Sequence, residues 1–121
     1  MKKHIVRVVL AVALLCLCAA QNYKLYPTKG TNLFIKLDTR NGTMTQVQST
    51  VDDSANRFEL TLNDIPLVAA KEQKTGRFEL YPTPPETITG IFILLDTLAG
   101  SCWRVEHTKG TVVPFELRGE L

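Results

Sequence analysis

A cysteine and a histidine late in the chain could in principle form a nucleophile and its base. Cys102 and His107 are the only thiol and the only imidazole after residue 20. A reactive thiol needs its base within hydrogen-bond reach, but residues five positions apart on a strand point to opposite faces. The serines do not lie in a Gly-x-Ser-x-Gly motif either. The sequence therefore predicts no catalytic residue and a protein that is not an enzyme.

Two aspartates stand at matching places in the sequence. Each is followed directly by a threonine, and a glycine comes four positions after each aspartate. Asp38 precedes Gly42, and Asp96 precedes Gly100. A carboxylate can accept hydrogen bonds from turn amides, and glycine reaches positive φ without a steric penalty. We therefore expect these four residues to build structural turns. Residues 38–42 lack the alternating acidic ligands of a calcium loop, so the sequence predicts no metal site and no cofactor.

Aromatic residues are the better candidates for binding. Tyr26 and Tyr81 share a strand face with a charged residue, and a tyrosine on the polar side of a strand can anchor an interface. The opposite face, which we expect to point inward, carries Tyr23, Leu25, Phe78 and Leu80. The alternative is that each Tyr-Pro pair closes its strand and packs on the next turn. Trp103 shares a face with Val105, which favours the core over a ligand platform, but it stays among the candidate interaction residues.

These residues belong to a unit that occurs twice. Leu-Tyr-Pro-Thr begins at Leu25 and again at Leu80, and Phe-Ile-x-Leu-Asp-Thr begins at Phe34 and again at Phe92. The offsets are 55 and 58 residues, so the second copy contains a three-residue insertion. Such a duplication informs us about architecture more than about chemistry.

The insertion falls in a proline-rich segment between Pro84 and Gly90. Proline fixes φ and pushes the preceding residue out of the helical region, so Pro84 and Pro85 predict a stiff, extended loop. Loops on a rigid scaffold carry function more often than the scaffold itself. Both prolines are therefore candidate interaction residues.

The elements that hold these residues are predicted to be strands. Apolar residues alternate with polar ones at a period of two in most of the chain, which is typical of strands with one buried face. The predicted strands are residues 23–26, 33–37, 43–48, 57–62, 77–81, 92–97, 101–107 and 111–115. Pro114 predicts that the last strand is a sheet edge or is bulged.

Each copy therefore predicts a four-stranded antiparallel meander, and the fold class is all-β. The repeats cover about residues 23–63 and 77–116, and the polar segment 69–76 joins them as a loop or a helical turn, of which we favour the loop. Two such units can pack as a sandwich or barrel. Alternatively, they resemble propeller blades, and several chains would then associate to complete a ring.

The first 20 residues predict a signal peptide. Lys2, Lys3 and Arg7 precede a short apolar segment that ends in Cys18-Ala19-Ala20, as export signals do. Lipidation of Cys16 or Cys18 is the alternative, but each follows a leucine, whereas lipoprotein signals resemble one another in having a small residue there. Because the apolar segment is too short for a membrane span, we expect a single domain of residues 21–121, in the periplasm or outside the cell.

Removal of this segment changes the charge balance. Of the 14 basic residues 11 remain, against 12 acidic ones, so the net charge becomes −1. Without a basic surface, nucleic acid and anionic membranes are not expected partners.

The repeated motif, with a polar-Val-polar segment after each turn and an aromatic residue before that segment in the second copy, resembles a group of small exported bacterial proteins that carry such a motif twice. The resemblance covers nearly the whole chain after residue 20 and implies an exported domain without an assigned activity. Members of that group have tryptophan after both turns, whereas here Trp103 has Thr45 as its counterpart.

The sequence thus favours a non-catalytic binding module that recognises a protein or glycan of the cell envelope. Two alternatives remain open. One is a structural subunit that forms a homo-oligomer, and the other is a small inhibitor of a secreted hydrolase.

Overall fold

The computed structural model of the protein describes residues 21–28, 32–49, 57–83, 90–116 and 118. The signal peptide prediction therefore lies outside the described residues. The strands are β1 (Tyr23–Pro27), β2 (Leu33–Asp38), β3 (Met44–Gln48), β4 (Phe58–Asn63), β5 (Phe78–Pro82), β6 (Ile91–Asp96), β7 (Cys102–Glu106) and β8 (Thr111–Pro114).

The strands form two antiparallel four-stranded sheets, which confirms the predicted all-β fold of two meanders. The first sheet has the order β1-β2-β3-β4 and the second the order β5-β6-β7-β8. They pack as a sandwich and are not closed into a barrel. Pro114 lies on β8, an edge strand of its sheet, where a missing backbone donor is tolerated.

The core lies between the two sheets and contains side chains from both. Its members are apolar side chains that are at most 8% exposed: Ile35, Leu37, Met44, Leu62, Phe78, Leu80, Phe92, Leu94 and Val105. Burial of apolar area at about 25 cal/mol per Å² is the main favourable contribution to folding. Because neither sheet can cover its own apolar face, each depends on the other.

The two repeats turn opposite faces toward this core. We call the face of each sheet that contacts the other sheet its inner face, and the opposite one its outer face. Ile35 is fully buried on the inner face of the first sheet, whereas its repeat equivalent Ile93 lies half-buried on the outer face of the second. Conversely, Phe92 is 1% exposed on the inner face, and its equivalent Phe34 lies on an outer face.

This inversion corrects the prediction for β1. Tyr23 and Leu25 were expected to face inward, but they are 51% and 60% exposed, whereas their equivalents Phe78 and Leu80 are buried. The pairing of Tyr26 with Ile35 in the sheet places Tyr26 on the inner face instead. A repeat pattern alone does not reveal which side the partner sheet covers.

The repeats are also joined by backbone hydrogen bonds at one corner. Thr39, which is fully buried, donates its N–H to the Asn22 carbonyl at 2.8 Å and accepts from the Phe78 N–H at 2.8 Å. Thr97 makes the equivalent bond to the Arg77 carbonyl at 2.9 Å. The linker, for which a loop was favoured, contains one turn of 3-10 helix at Ala70–Glu72.

Candidate interaction surface

The outer face of the second sheet is the candidate interaction surface. Its apolar residues come from four neighbouring strands: Tyr81, Ile93, Leu95, Cys102 and Val113. Tyr81 is 46% exposed and Val113 53%, while the central strand residues Ile93 and Leu95 are half-buried. Because these side chains project from a hydrogen-bonded sheet, their positions are fixed before any partner binds.

The sequence signal for this surface was present on β6. Residues Ile91 to Leu95 are five consecutive apolar residues. A strand of a two-layer sandwich buries only one face against its partner sheet and normally alternates with polar residues. Apolar residues therefore lie on both faces of β6, and the sequence prediction, which was based on single aromatic residues, did not include Ile93 and Leu95.

Charged residues lie both at the edge of this surface and within it. The Tyr81 hydroxyl donates a hydrogen bond to the Glu79 carboxylate, which raises the pKa of Tyr81 because the neighbouring carboxylate disfavours the phenolate. Glu79 also lies 3.9 Å from the Lys24 ammonium. Arg104 on β7 pairs in the sheet with both Ile93 and Val113, so it lies between them on this face, where it forms an ion pair with Glu106.

Tyr26 occupies the equivalent position in the first repeat but a different environment. It is half-buried and packs against the core, and its hydroxyl accepts a hydrogen bond from the Leu80 N–H at 3.4 Å. Burial raises the pKa of Tyr26, with a smaller contribution from the charge of Glu79. The structure therefore places Tyr26 between the sheets and Tyr81 on the outside.

Trp103 lies on the inner face of the second sheet. It is half-buried against the core, and its ring centre is 6.0 Å from that of Phe78 at an angle of 52°. Its counterpart Thr45 lies on the outer face of the first sheet, beside an open recess of about 250 Å³ that Tyr23 and Lys36 also line. The three predicted aromatic residues are thus not brought together in one site.

Pro84 and Pro85 lie outside the described residues. The loop-based part of the predicted binding surface therefore stays a prediction.

The four predicted turn residues contact their own turns. Asp96 accepts hydrogen bonds from the Leu98 and Ala99 amides at 3.0 and 3.1 Å, and Asp38 accepts from the Arg40 amide at 3.0 Å. Gly42 and Gly100 have φ of 81° and 79°, values that glycine adopts far more readily than other residues.

Each aspartate also pairs with an arginine. The Arg77 guanidinium donates two hydrogen bonds of 2.9 Å to Asp96, and these side chains are 11% and 3% exposed. Burial acts to raise the pKa of Asp96, but the bonds from Arg77, Ala99 and Leu98 outweigh it and hold the pKa below its usual value. For Asp38, burial is likewise outweighed, here mainly by bonds from Arg40, and its pKa is lowered.

The geometry does not assemble a reactive pair from Cys102 and His107. Cys102 pairs with Leu95 on the outer face, whereas the His107 ring packs edge-on against Phe92, on the inner side, at 6.0 Å. In the part of the chain that the structure describes, no three metal-ligating side chains come together. The same residues include no helix long and apolar enough to cross a membrane.

Comparison with known proteins gives no match to a family model, to a curated protein or to a solved structure. The resemblance to the exported bacterial group therefore stays a prediction.

Proposed function

We propose that the protein is an exported, non-catalytic interaction module that binds a protein partner of the cell envelope through the outer face of its second sheet. The observation that carries the proposal is the apolar outer side of β6 with exposed Tyr81 beside it. Tyrosine is enriched among the residues that dominate binding energy, and a preformed sheet loses little conformational entropy on association.

The composition of the surface favours a protein over a glycan. Ile93 and Leu95 offer aliphatic area beside the tyrosine, whereas a carbohydrate site needs several polar groups aimed at hydroxyls. Glu79 on the edge strand suits the polar rim of a protein interface, and Arg104, between Ile93 and Val113, suits the interface core, where arginine is enriched. The proposal of export rests on the signal peptide predicted for residues 1–20. The alternative function, inhibition of a secreted hydrolase, would depend on the Pro84 to Gly90 loop.

A photo-reactive amino acid at position 81 tests this proposal in the cell. The matched control is the same amino acid at Leu98, which is 61% exposed in the turn after β6 and outside the proposed surface. We expect covalent protein adducts from position 81 and none from position 98. Equal adducts at both positions, or none at position 81, would contradict the proposal. Mass spectrometry of the recovered protein shows both the partner and whether the chain begins at Gln21.

A further inference from the structure

We infer that the partner of this surface is a second copy of the same chain, bound head to tail. In this arrangement the outer face of the second sheet of one copy covers the outer face of the first sheet of the next. The inference depends on the proposed interaction surface and names its partner.

The interface inside the molecule already joins two different faces of the repeat unit. Because the repeats turn opposite faces toward the core, the internal contact joins one face of the repeat unit to the other face of the next unit. Each repeat has both kinds of face. A contact between one kind on the first repeat and the other kind on the second therefore leaves one face of each kind uncovered. The unused faces are the two outer faces of the molecule, and they are equivalent to the two that already fit together.

Residues on the outer face of the first sheet are exposed where their repeat equivalents are buried in the internal interface. Tyr23 and Leu25 are 51% and 60% exposed, whereas their equivalents in the internal interface, Phe78 and Leu80, are 0% and 3% exposed. The second sheet shows the same on its outer face, where Tyr81 is 46% exposed and its equivalent Tyr26 packs against the core.

The polar contacts of the internal interface can also form between two copies in such an assembly. Lys24 lies 3.9 Å from Glu79 across the two repeats, and these two positions are themselves repeat equivalents. The next contact in the series therefore sets Glu79 of one copy against Lys24 of a second copy, which again joins opposite charges. Opposite charges at equivalent places favour the head-to-tail register over a symmetric face-to-face contact.

A hydrogen bond between a tyrosine hydroxyl and a backbone N–H can likewise form both inside the molecule and between copies. Inside the molecule, the Tyr26 hydroxyl accepts from the Leu80 N–H at 3.4 Å. The equivalent pair across two copies is the Tyr81 hydroxyl and the Leu25 N–H. Tyr81 donates to Glu79, and a hydroxyl can donate and accept together, so this bond is compatible with the one already present.

The contact between copies should be weaker than the one within the chain. Lys36 and Thr45 stand on the outer face of the first sheet where the second repeat has Leu94 and Trp103 in its interface. Less apolar area is then buried, and we expect association that depends on protein concentration. Successive copies either close a ring or form an open chain, and a ring of four to eight sheets, as in propellers, would take two to four copies.

Two variants with one blocked face each test the inference. Leu25→Arg blocks the first sheet and Tyr81→Arg the second, both at exposed positions, and Leu98→Arg is the control outside both faces. The protein is purified after expression of the complete chain, and its mass is measured by sedimentation velocity over a range of concentrations. Val113→Arg, also exposed, replaces Tyr81→Arg if unfolding curves show that the latter is unstable.

We expect the wild type and Leu98→Arg to associate, and each face variant to need at least about tenfold higher concentration, as for a loss at an interface centre. A mixture of the two face variants should form a dimer and nothing larger, because each supplies the face that the other lacks. A wild type that stays monomeric, a face variant that associates like the wild type, or a mixture that forms no dimer would overturn the inference.

The cross-linking experiment separates this failure from failure of the proposed function. Adducts of position 81 with a different protein, together with a monomeric wild type, would contradict self-association and leave the interaction surface in place. No adducts and a monomeric wild type would contradict both. Adducts between position 81 and residues 23–27 of a second copy would support both.

Discussion

Tyr26 and Tyr81 occupy equivalent positions of the two repeats, but only Tyr26 packs against the core. Truncation of Tyr26 removes buried aromatic area and leaves the Leu80 N–H without its acceptor. We expect Tyr26→Ala to lower the free energy of unfolding by about 3 kcal/mol, and Tyr81→Ala, at an exposed position, by less than about 1 kcal/mol. Urea unfolding of the two variants measures the difference. Equal losses would mean that the two rings have similar environments.

The Arg77–Asp96 pair supports a prediction about pH, because its side chains are more buried than those of the Arg40–Asp38 pair in the first repeat. The pKa of Asp96 is lowered in the folded protein, so its contribution to stability is present above the unfolded pKa of about 3.9. This contribution is lost as the pH falls through the lower folded pKa. Asp96→Asn should therefore cost about 3 kcal/mol at neutral pH, and the deficit should narrow below about pH 4.

Chemical unfolding of Asp96→Asn at several pH values checks this expectation. Asp64→Asn is the control, because Asp64 is exposed and outside the strands. A deficit for Asp96→Asn that is the same at pH 7 and pH 3 would show that the substitution acts through packing rather than through the charge.

At the scale of the elements, the two glycine turns differ in what surrounds them. A Cβ at Gly42 would lie 2.7 Å from Cδ1 of Leu67, which follows β4, whereas a Cβ at Gly100 would have no atom within 4 Å. Both glycines have positive φ. Gly100→Ala should therefore cost about 1 kcal/mol for the backbone alone, and Gly42→Ala about 1 kcal/mol more for the crowding.

Thermal unfolding of the two alanine variants gives this comparison directly. Because Leu67 also packs against the core, the additional cost is tested by comparing the double variant Gly42→Ala, Leu67→Ala with Leu67→Ala alone, and this difference should be no larger than the cost of Gly100→Ala. If Gly42→Ala and Gly100→Ala were equally destabilised, Leu67 would not be packed on the first turn.

The strands themselves were predictable because their periodicity is local. Alternation in residues 33–37 and 57–62, together with Gly42 and Gly100 in the turns, gives eight strands close to the observed bounds. The inward face of β1 was not predictable in the same way. Leu25 and Leu80 have the same local pattern, and only the position of the other sheet decides which is buried.

The candidate surface was predictable in part for the same reason. Tyr81 was identified from its face and residue type, but its neighbours Ile93 and Leu95 were interpreted as ordinary strand residues. Their exposure follows from the packing of repeats through opposite faces, which no single strand encodes. The absence of tryptophan at Thr45, visible in the sequence, corresponds to the recess beside it.

At the scale of the whole molecule, one core joins both repeats, so they should unfold together. Trp103 is the only tryptophan of the chain and lies in the second sheet, whereas circular dichroism reports on both sheets. Leu37→Ala places a cavity in the first sheet, where Leu37 is fully buried, and should cost about 3 kcal/mol. Because the cavity opens onto the shared core, the fluorescence midpoint of Trp103 should move as far as the dichroism midpoint.

Leu94→Ala, which removes a fully buried leucine from the second sheet, is the matched variant and should give the same coincidence of the two signals. Sheets that unfolded independently would behave differently. Leu37→Ala would then shift an early dichroism transition that Trp103 does not report, and Leu94→Ala would shift the fluorescence together with only the second-sheet part of the dichroism signal. Coincident shifts would show that neither repeat is stable without the other, as expected if each sheet needs a neighbour to cover its apolar face.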